Sequence, residues 1–288
     1  MDLSIFKGTD TVYITGHRNP DADSLVSAKI MQDILRHNGI NAQWVFFKGD
    51  KVDPSSYMLL EGIITETPLV ITEQDLQGKK FLLVDHNDVM QSVMDSSCVL
   101  AAIDHHSESG QIKNVYISDY CCTALYIYMM FRERYGFSDT QKQQIFRAFL
   151  GDSVFGRSSR YKPVKDGEAV KQLGYADDYE EYFKKYFVPT DLTDWQKAFA
   201  ENGVKSYSYS WADMESGYIE AMDTKLLAEY KEFVQNYDGN FLGIWLDYSV
   251  PKTYAFFKYN GELHQYTYSC VASRAALIMP YIIKTFGK

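Results

Sequence analysis

The chain has 288 residues, long enough for two domains of ordinary size, and 46% of them are hydrophobic, the make-up of a globular protein. Its 38 acidic and 29 basic residues give a net charge of −9, which argues against a general nucleic-acid-binding surface but leaves room for a local basic pocket. No apolar run approaches the ~20 residues of a membrane span, and MDLSIFKGTD lacks the basic stretch and apolar core of a secretory signal. The four cysteines (Cys98, Cys121, Cys122 and Cys270) form no C-x-x-C pair, so neither a zinc nor a redox site is suggested and a reduced, cytoplasmic setting is expected.

Residues 12–14 are an apolar run that predicts a buried strand, which Gly16 ends. Then come His17, Asp21 and Asp23. Asp21 and Ser24 are good helix-start residues, and Leu25, Ala28, Met31 and Leu35 form one stripe of the helix that follows. A second strand is predicted over 42–47 and a weak helix over 55–64. Strand 81–84 runs into Asp85-His86-Asn87-Asp88. Strand 99–103 runs into Asp104-His105-His106, and strand 115–117 into Ser118-Asp119. Helices are predicted over 123–135 and 139–150, the second leading to Gly151-Asp152-Ser153.

This alternation predicts a doubly wound α/β domain with a parallel sheet. In such a sheet the strand ends share one edge, where ligands bind, so His17, Asp21, Asp23, Asp85 and His105 should converge there. From 157 to 190 the chain turns polar, with a loop, one or two helices and a linker. Beyond it a smaller α+β domain with a mixed sheet is predicted: strands 205–210, 241–247 and 253–259, a helix over 218–234, a hairpin at Asn260-Gly261 into strand 262–269, and a last helix over 273–286 interrupted by Pro280. The predicted domains are 1–188 and 189–288.

Crowded carboxylates and imidazoles repel one another unless a cation lies between them. Hard divalent ions prefer carboxylate oxygen, and Mn²⁺ accepts imidazole as well. His17, Asp21, Asp23, Asp85, His105 and Asp152 are six candidate ligands for a two-metal centre with one bridging carboxylate. A water held by both ions would lose a proton near neutral pH and could attack phosphorus in line, with Arg and Lys balancing the remaining substrate charge. Plainer roles compete. Asp21 and Asp23 could only cap a helix, Asp85 could only cap a loop, and Asp152 could be an ordinary helix end. Asp104 is expected to anchor its turn, His106 to face the substrate, His86 to be structural, and Asp119 to be a turn former without a partner. His37 and His264 have no acidic cluster and are read as ordinary residues.

GHRNPDADSLVSA, LVDHND, AIDHH and LGDS, in this order and spacing, resemble the four motifs of the DHH phosphoesterase superfamily over roughly residues 11–160. With His17 in the first motif and VDHN in the second, the chain is most similar to manganese-dependent (family II) inorganic pyrophosphatases. The resemblance implies a hydrolase of phosphoanhydride bonds, with His17, Asp21 and Asp85 holding one metal and Asp23, Asp85, His105 and Asp152 the other. His106 would contact phosphate and stabilise the leaving group. Two Mn²⁺ ions are implied, with Co²⁺ or Mg²⁺ as alternatives.

The C-terminal resemblance is looser. Ser273 and Arg274 match the family's Ser-Arg-Lys-Lys-Gln segment, but Ala275 and Ala276 stand where lysines are expected. Lys197, in TDWQKAF, is the nearest match to a substrate lysine. RSSRYKP replaces a Ser-Pro-Thr segment, making Arg157, Ser158, Arg160 or Lys162 further candidates. The resemblance therefore implies a small phosphate-containing substrate in a cleft between the domains, with closure bringing Arg274 and Lys197 onto it. Pyrophosphate is the first reading. A larger substrate, as in an exopolyphosphatase or nucleotide phosphoesterase, is the alternative, and a non-catalytic ligand-binding relative is a third. A homodimer is among the options for assembly.

Overall fold

The computed structural model describes residues 1–176, 178–194 and 204–287. The chain divides into two compact units, Met1–Gly156 with Tyr161–Phe187 and Arg157–Arg160 with Val188–Lys288.

The first unit is built on six strands: β1 (Val12–Thr15), β2 (Ala42–Phe47), β3 (Leu69–Ile71), β4 (Lys80–Val84), β5 (Val99–Asp104) and β6 (Val115–Ile117). All pair in parallel, in the order β3-β2-β1-β4-β5-β6. From β1 the chain moves outward through β2 and β3, then returns to place β4 on β1's other side. The crevice at the carboxyl ends of β1 and β4 is thus the topological switch point, where open α/β sheets bind ligands. Sequence patterning did not mark β3. It is three residues at the sheet edge with Leu69 and Val70 exposed, too short for a periodicity to show.

Helices α1 (Ala22–His37), α2 (Pro54–Leu60), α3 (Thr123–Phe131), α4 (Asp139–Asp152), α5 (Pro163–Leu173) and α6 (Glu180–Tyr186) complete the unit. Asp21 caps α1, Asp53 caps α2 ahead of Pro54, and Ser138 and Gln141 form a capping box on α4. α1 packs against α3, α4 and the sheet, so its buried surface extends well beyond one stripe. One sheet face carries a core of Val45, Phe47, Ile71, Phe81, Leu83 and Ala102. Phe81 is fully enclosed, and its truncation to alanine should cost roughly 3–5 kcal/mol. Cys121 and Cys122 are buried thiols.

The second unit holds a mixed sheet of β7 (Lys205–Ser208), β8 (Asp213–Ala221), β9 (Phe241–Asp247), β10 (Lys252–Tyr259) and β11 (Glu262–Tyr268), in the order β11-β10-β9-β8-β7. Only β8 and β9 pair in parallel, joined by the crossover helix α7 (Leu227–Asn236). The helix expected over 218–234 is therefore corrected: its first part is β8, and helix begins only after Thr224. Both faces of β8 are covered, with Ile219 and Ala221 in one core and Met214 and Tyr218 against the other, so no polar–apolar alternation shows in its sequence. The Asn260-Gly261 turn has φ of +49° and +84°, and Tyr259 pairs with Glu262. At the C-terminus a π-helical turn, Arg274–Ile278, precedes α8 (Met279–Phe286), with Pro280 in the first turn of α8, where its missing N–H is tolerated. No helix among the described residues is long and apolar enough to cross a membrane.

Candidate metal centre

His17 leaves β1 into the switch-point crevice. Its Nδ1 lies 2.9 Å from the Arg18 carbonyl oxygen, which can only accept, so Nδ1 carries the proton. Nε2 then turns a lone pair toward Asp21 Oδ2 at 3.4 Å and Asp85 Oδ2 at 3.5 Å. Arg18, which the sequence reading passed over, anchors this loop: Nε donates to Asp50 at 2.7 Å, Nη1 donates to Glu73 at 3.1 Å, and the guanidinium covers Phe47.

Asp21 divides its carboxylate between two tasks. Oδ1 accepts the Ser24 N–H at 3.0 Å as the α1 cap, while Oδ2 faces His17. Asp23 is buried, and its two oxygens accept the backbone N–H groups of Thr123 (2.6 Å) and Ala124 (2.7 Å), at the start of α3. Burial, then the charge of Asp85, pushes its pKa up to about 8. A cation beside a carboxyl so placed would favour its charged form.

Asp85 ends β4 in the left-handed region at φ +62°, a conformation a non-glycine residue keeps only when its surroundings enforce it. Its Oδ2 accepts the Ser24 hydroxyl at 2.7 Å, and His105 Nε2 lies 3.2 Å from Oδ1. Burial, then the charge of Asp21, raises its pKa to about 6. Gly16 makes this geometry available. Its φ is not positive, so the turn itself does not demand glycine. A Cβ there would stand 2.5 Å from Ser24 Cβ, so glycine is needed for the close approach of α1 to β1.

His105 Nε2 also lies 3.3 Å from Oδ2 of Asp152, the last residue of α4. Asp104 anchors the turn: Oδ1 accepts the backbone N–H groups of His105 and His106 and faces His106 Nδ1 at 2.8 Å, while Oδ2 accepts from Asn87 at 2.6 Å. Burial alone would raise the Asp104 pKa. The His106 hydrogen bonds and the two histidine charges outweigh it and hold the carboxyl well below its usual range. His106 stays one-third exposed, its ring edge-on to His105. His86 is structural. Nδ1 donates to the Val84 carbonyl, Nε2 accepts from Ser92 at 2.6 Å, and burial lowers its pKa to about 4.

Three groups of ligand atoms, each mutually within 4.8 Å, result: His17, Asp21 and Asp85; Asp23, Asp85, His105 and Asp152; and Asp85, Asp104, His105 and His106. Asp85 is in all three. Carboxylate oxygens and imidazole lone pairs turned toward one another fit divalent cations that accept both donor types, as Mn²⁺ does.

The remaining sequence candidates lie elsewhere. Asp119 is corrected: it pairs with Lys162 at 2.9 Å and with Lys165, lysines more than forty positions away that strand-end patterning could not reveal. His37 packs edge-on against Tyr135, and His264 packs against Phe286. In the second unit Ser158 bridges to Val271, Ser159 donates to the Val271 carbonyl at 2.9 Å, and the Ser273 N–H donates to Ser159 at 3.0 Å. The chain at Arg157 and Ser158 therefore lies alongside the chain leading to Ser273 and Arg274. Lys197 lies outside the described residues.

Residues 11–151 match the model of the DHH family, N-terminal domain. Over 163 residues, 52% of this chain and 50% of the relative, the chain is 33% identical to a Staphylococcus carnosus (strain TM300) protein named "Probable manganese-dependent inorganic pyrophosphatase". A Staphylococcus aureus (strain JH9) protein of the same name is 31% identical over 175 residues, 57% of this chain and 56% of the relative. The chain thus spans about half the length of the curated relatives it matches. Among solved structures, a Methanococcus jannaschii protein assigned to family II inorganic pyrophosphatase superposes with a TM-score of 0.73 at 20% identity, covering 96% of this chain and 100% of that one. An exopolyphosphatase-related protein from Bacteroides fragilis gives 0.50 at 12% identity, over 88% and 80%. At these identities the structural likeness is one of fold.

Proposed function

Residues 11–151 form a DHH family N-terminal domain, and from that premise we propose that the chain is a metal-dependent phosphohydrolase that cleaves a phosphoanhydride bond, inorganic pyrophosphate being the favoured substrate. The observation that carries this reading is the placement of Asp85, a single buried carboxylate shared by one group with His17 and Asp21 and another with Asp23, His105 and Asp152. These residues would hold two divalent cations, Mn²⁺ by preference, with Asp85 common to both. When bound, the ions supply charge shielding and an acidified water for in-line attack on phosphorus.

The chain's own residues do the rest. The Arg18 carbonyl fixes the His17 tautomer, and a ligating histidine is commonly oriented this way through its other nitrogen. Ser24 and Thr123 hold the Asp85 carboxylate in place. Asp104, kept ionised, orients His106, whose partly exposed ring donates to the substrate phosphate and to the leaving oxygen. Arg157, Ser158, Ser273 and Arg274, with Lys197, balance the charge on the substrate.

Ala275 and Ala276 favour a second reading, a larger substrate such as polyphosphate or a nucleotide, because two cations of the family's clamp are missing. The test is phosphate release with Mn²⁺, after chelation and reloading, from pyrophosphate, tripolyphosphate, longer polyphosphate, adenosine tetraphosphate and a dinucleotide. Pyrophosphate should turn over fastest. Preference for the longer chains or the nucleotides would select the second reading, and no release from any of the five with Mn²⁺, Co²⁺ or Mg²⁺ would end both.

A further inference from the structure

Arg274 opens the π-helical turn, and two residues of β8 hold its guanidinium. Nη1 donates to the Ser216 carbonyl at 3.3 Å, and the guanidinium carbon stands 5.5 Å from the centroid of the Tyr218 ring. Ser216 and Tyr218 are two positions apart on one strand, so they share a face of the sheet. Among the described residues, the Arg274 side chain has no carboxylate partner and donates no other hydrogen bond. Its charge is met by a π face and one carbonyl, and most of the five guanidinium N–H donors are left for an incoming anion.

We propose that Tyr218 is a positioning residue for phosphate binding: its ring pins one face of the Arg274 guanidinium so that the planar fork is presented preassembled to a phosphoryl group. This rests on the reading of Arg274 as a substrate contact. An arginine that is already ordered gives up less side-chain freedom when it binds, and a fork restrained at one face keeps the orientation that bidentate contact to phosphate requires. Because Arg274 is the one cation of the VASRAALIMP segment, its alignment carries more of the binding here than it would beside a pair of lysines.

The experiment is a double-mutant cycle on the Mn²⁺-loaded full chain, with pyrophosphate as substrate and inorganic phosphate as competing ligand. Tyr218→Leu should raise KM and weaken phosphate inhibition by about 3- to 30-fold while kcat stays within about twofold. Tyr218→Phe, which keeps the ring, should stay within about threefold of the parent. In an Arg274→Ala background Tyr218→Leu should add nothing further to KM. Mn²⁺ affinity and melting temperature, measured alongside, separate local from global damage, and Tyr218→Met serves if the leucine variant does not fold. If Arg274→Ala raises KM but neither ring-removing variant does, or if the losses are additive, the positioning role is overturned while the substrate reading stands. If Arg274→Ala leaves KM and phosphate inhibition unchanged, the substrate contact itself is overturned.

Discussion

The hydroxyl of Ser24 donates to Asp85 Oδ2 at 2.7 Å, joining the first turn of α1 to the end of β4 beneath the candidate metal centre. Ser24 is not a candidate ligand, yet it holds the carboxylate common to both candidate ligand groups. Removing such an outer-shell donor typically weakens metal affinity 10- to 100-fold. Ser24→Ala should therefore bind Mn²⁺ about 10- to 100-fold more weakly by calorimetry while the fold survives. Unchanged affinity would show that Asp85 is held by its backbone and not by this hydroxyl.

Gly16→Ala acts on the same contact from the other side. The new methyl would stand 2.5 Å from Ser24 Cβ and 3.1 Å from Ser24 Cα, so α1 backbone as well as side chain must move away from β1. The expected result is a larger loss of Mn²⁺ affinity than in Ser24→Ala, with a destabilisation of about 1–3 kcal/mol in denaturant unfolding. A variant as stable and as metal-competent as the parent would show that the β1–α1 packing yields freely.

Asp104→Asn tests the orientation of His106. Asp104 accepts from Asn87, from two backbone N–H groups and from the His106 ring, and it does so as a buried carboxylate. An amide in its place loses the charge and turns an NH₂ toward one set of donors, leaving at least one buried group unsatisfied at about 1–3 kcal/mol. kcat should fall at least tenfold with Mn²⁺ affinity changed far less, since Asp104 belongs neither to the His17, Asp21 and Asp85 group nor to the Asp23, Asp85, His105 and Asp152 group. A parallel loss of metal would instead make Asp104 part of the His105 support.

The first unit was legible because its chemistry sits where strands stop. Three apolar runs, each ending in acidic or histidine residues, imply a shared sheet edge, and the parallel order with its switch between β1 and β4 supplies that edge. What the sequence hid were partners remote in the chain. Thr123 and Ala124 reach Asp23 across a hundred positions, and Lys162 and Lys165 reach Asp119 across more than forty. Gly16 was visible as a strand end, but its reason, close approach to Ser24, is a property of packing. In the second unit, the end of β8, from Tyr218 to Ala221, read as the start of a helix because both its faces are covered, which erases the period-two signal.

The last prediction concerns the protein stripped of metal. Asp23 and Asp85 then face each other in a buried site, with folded-state pKa values pushed up from 3.8 to about 8 and about 6. Between roughly pH 4 and pH 8 these two carboxyls hold protons that the unfolded chain has lost, so their contribution to stability falls as pH rises. Buried His86, lowered from 6.5 to about 4, acts the other way below about pH 6.5, which leaves the net fall above it. Chelated protein should therefore melt at progressively lower temperature from about pH 6.5 to pH 8, by on the order of 5 °C. Adding Mn²⁺ should reverse most of the loss at pH 8 and little at pH 5, where protons already neutralise the site and compete with the ion. Asp85→Asn removes one of the two titrating carboxylates, so its chelated form should lose less stability over the same range and regain little with Mn²⁺. A chelated parent whose melting temperature is flat or rising from about pH 6.5 to pH 8 would show that these two carboxylates are not held together in the metal-free protein.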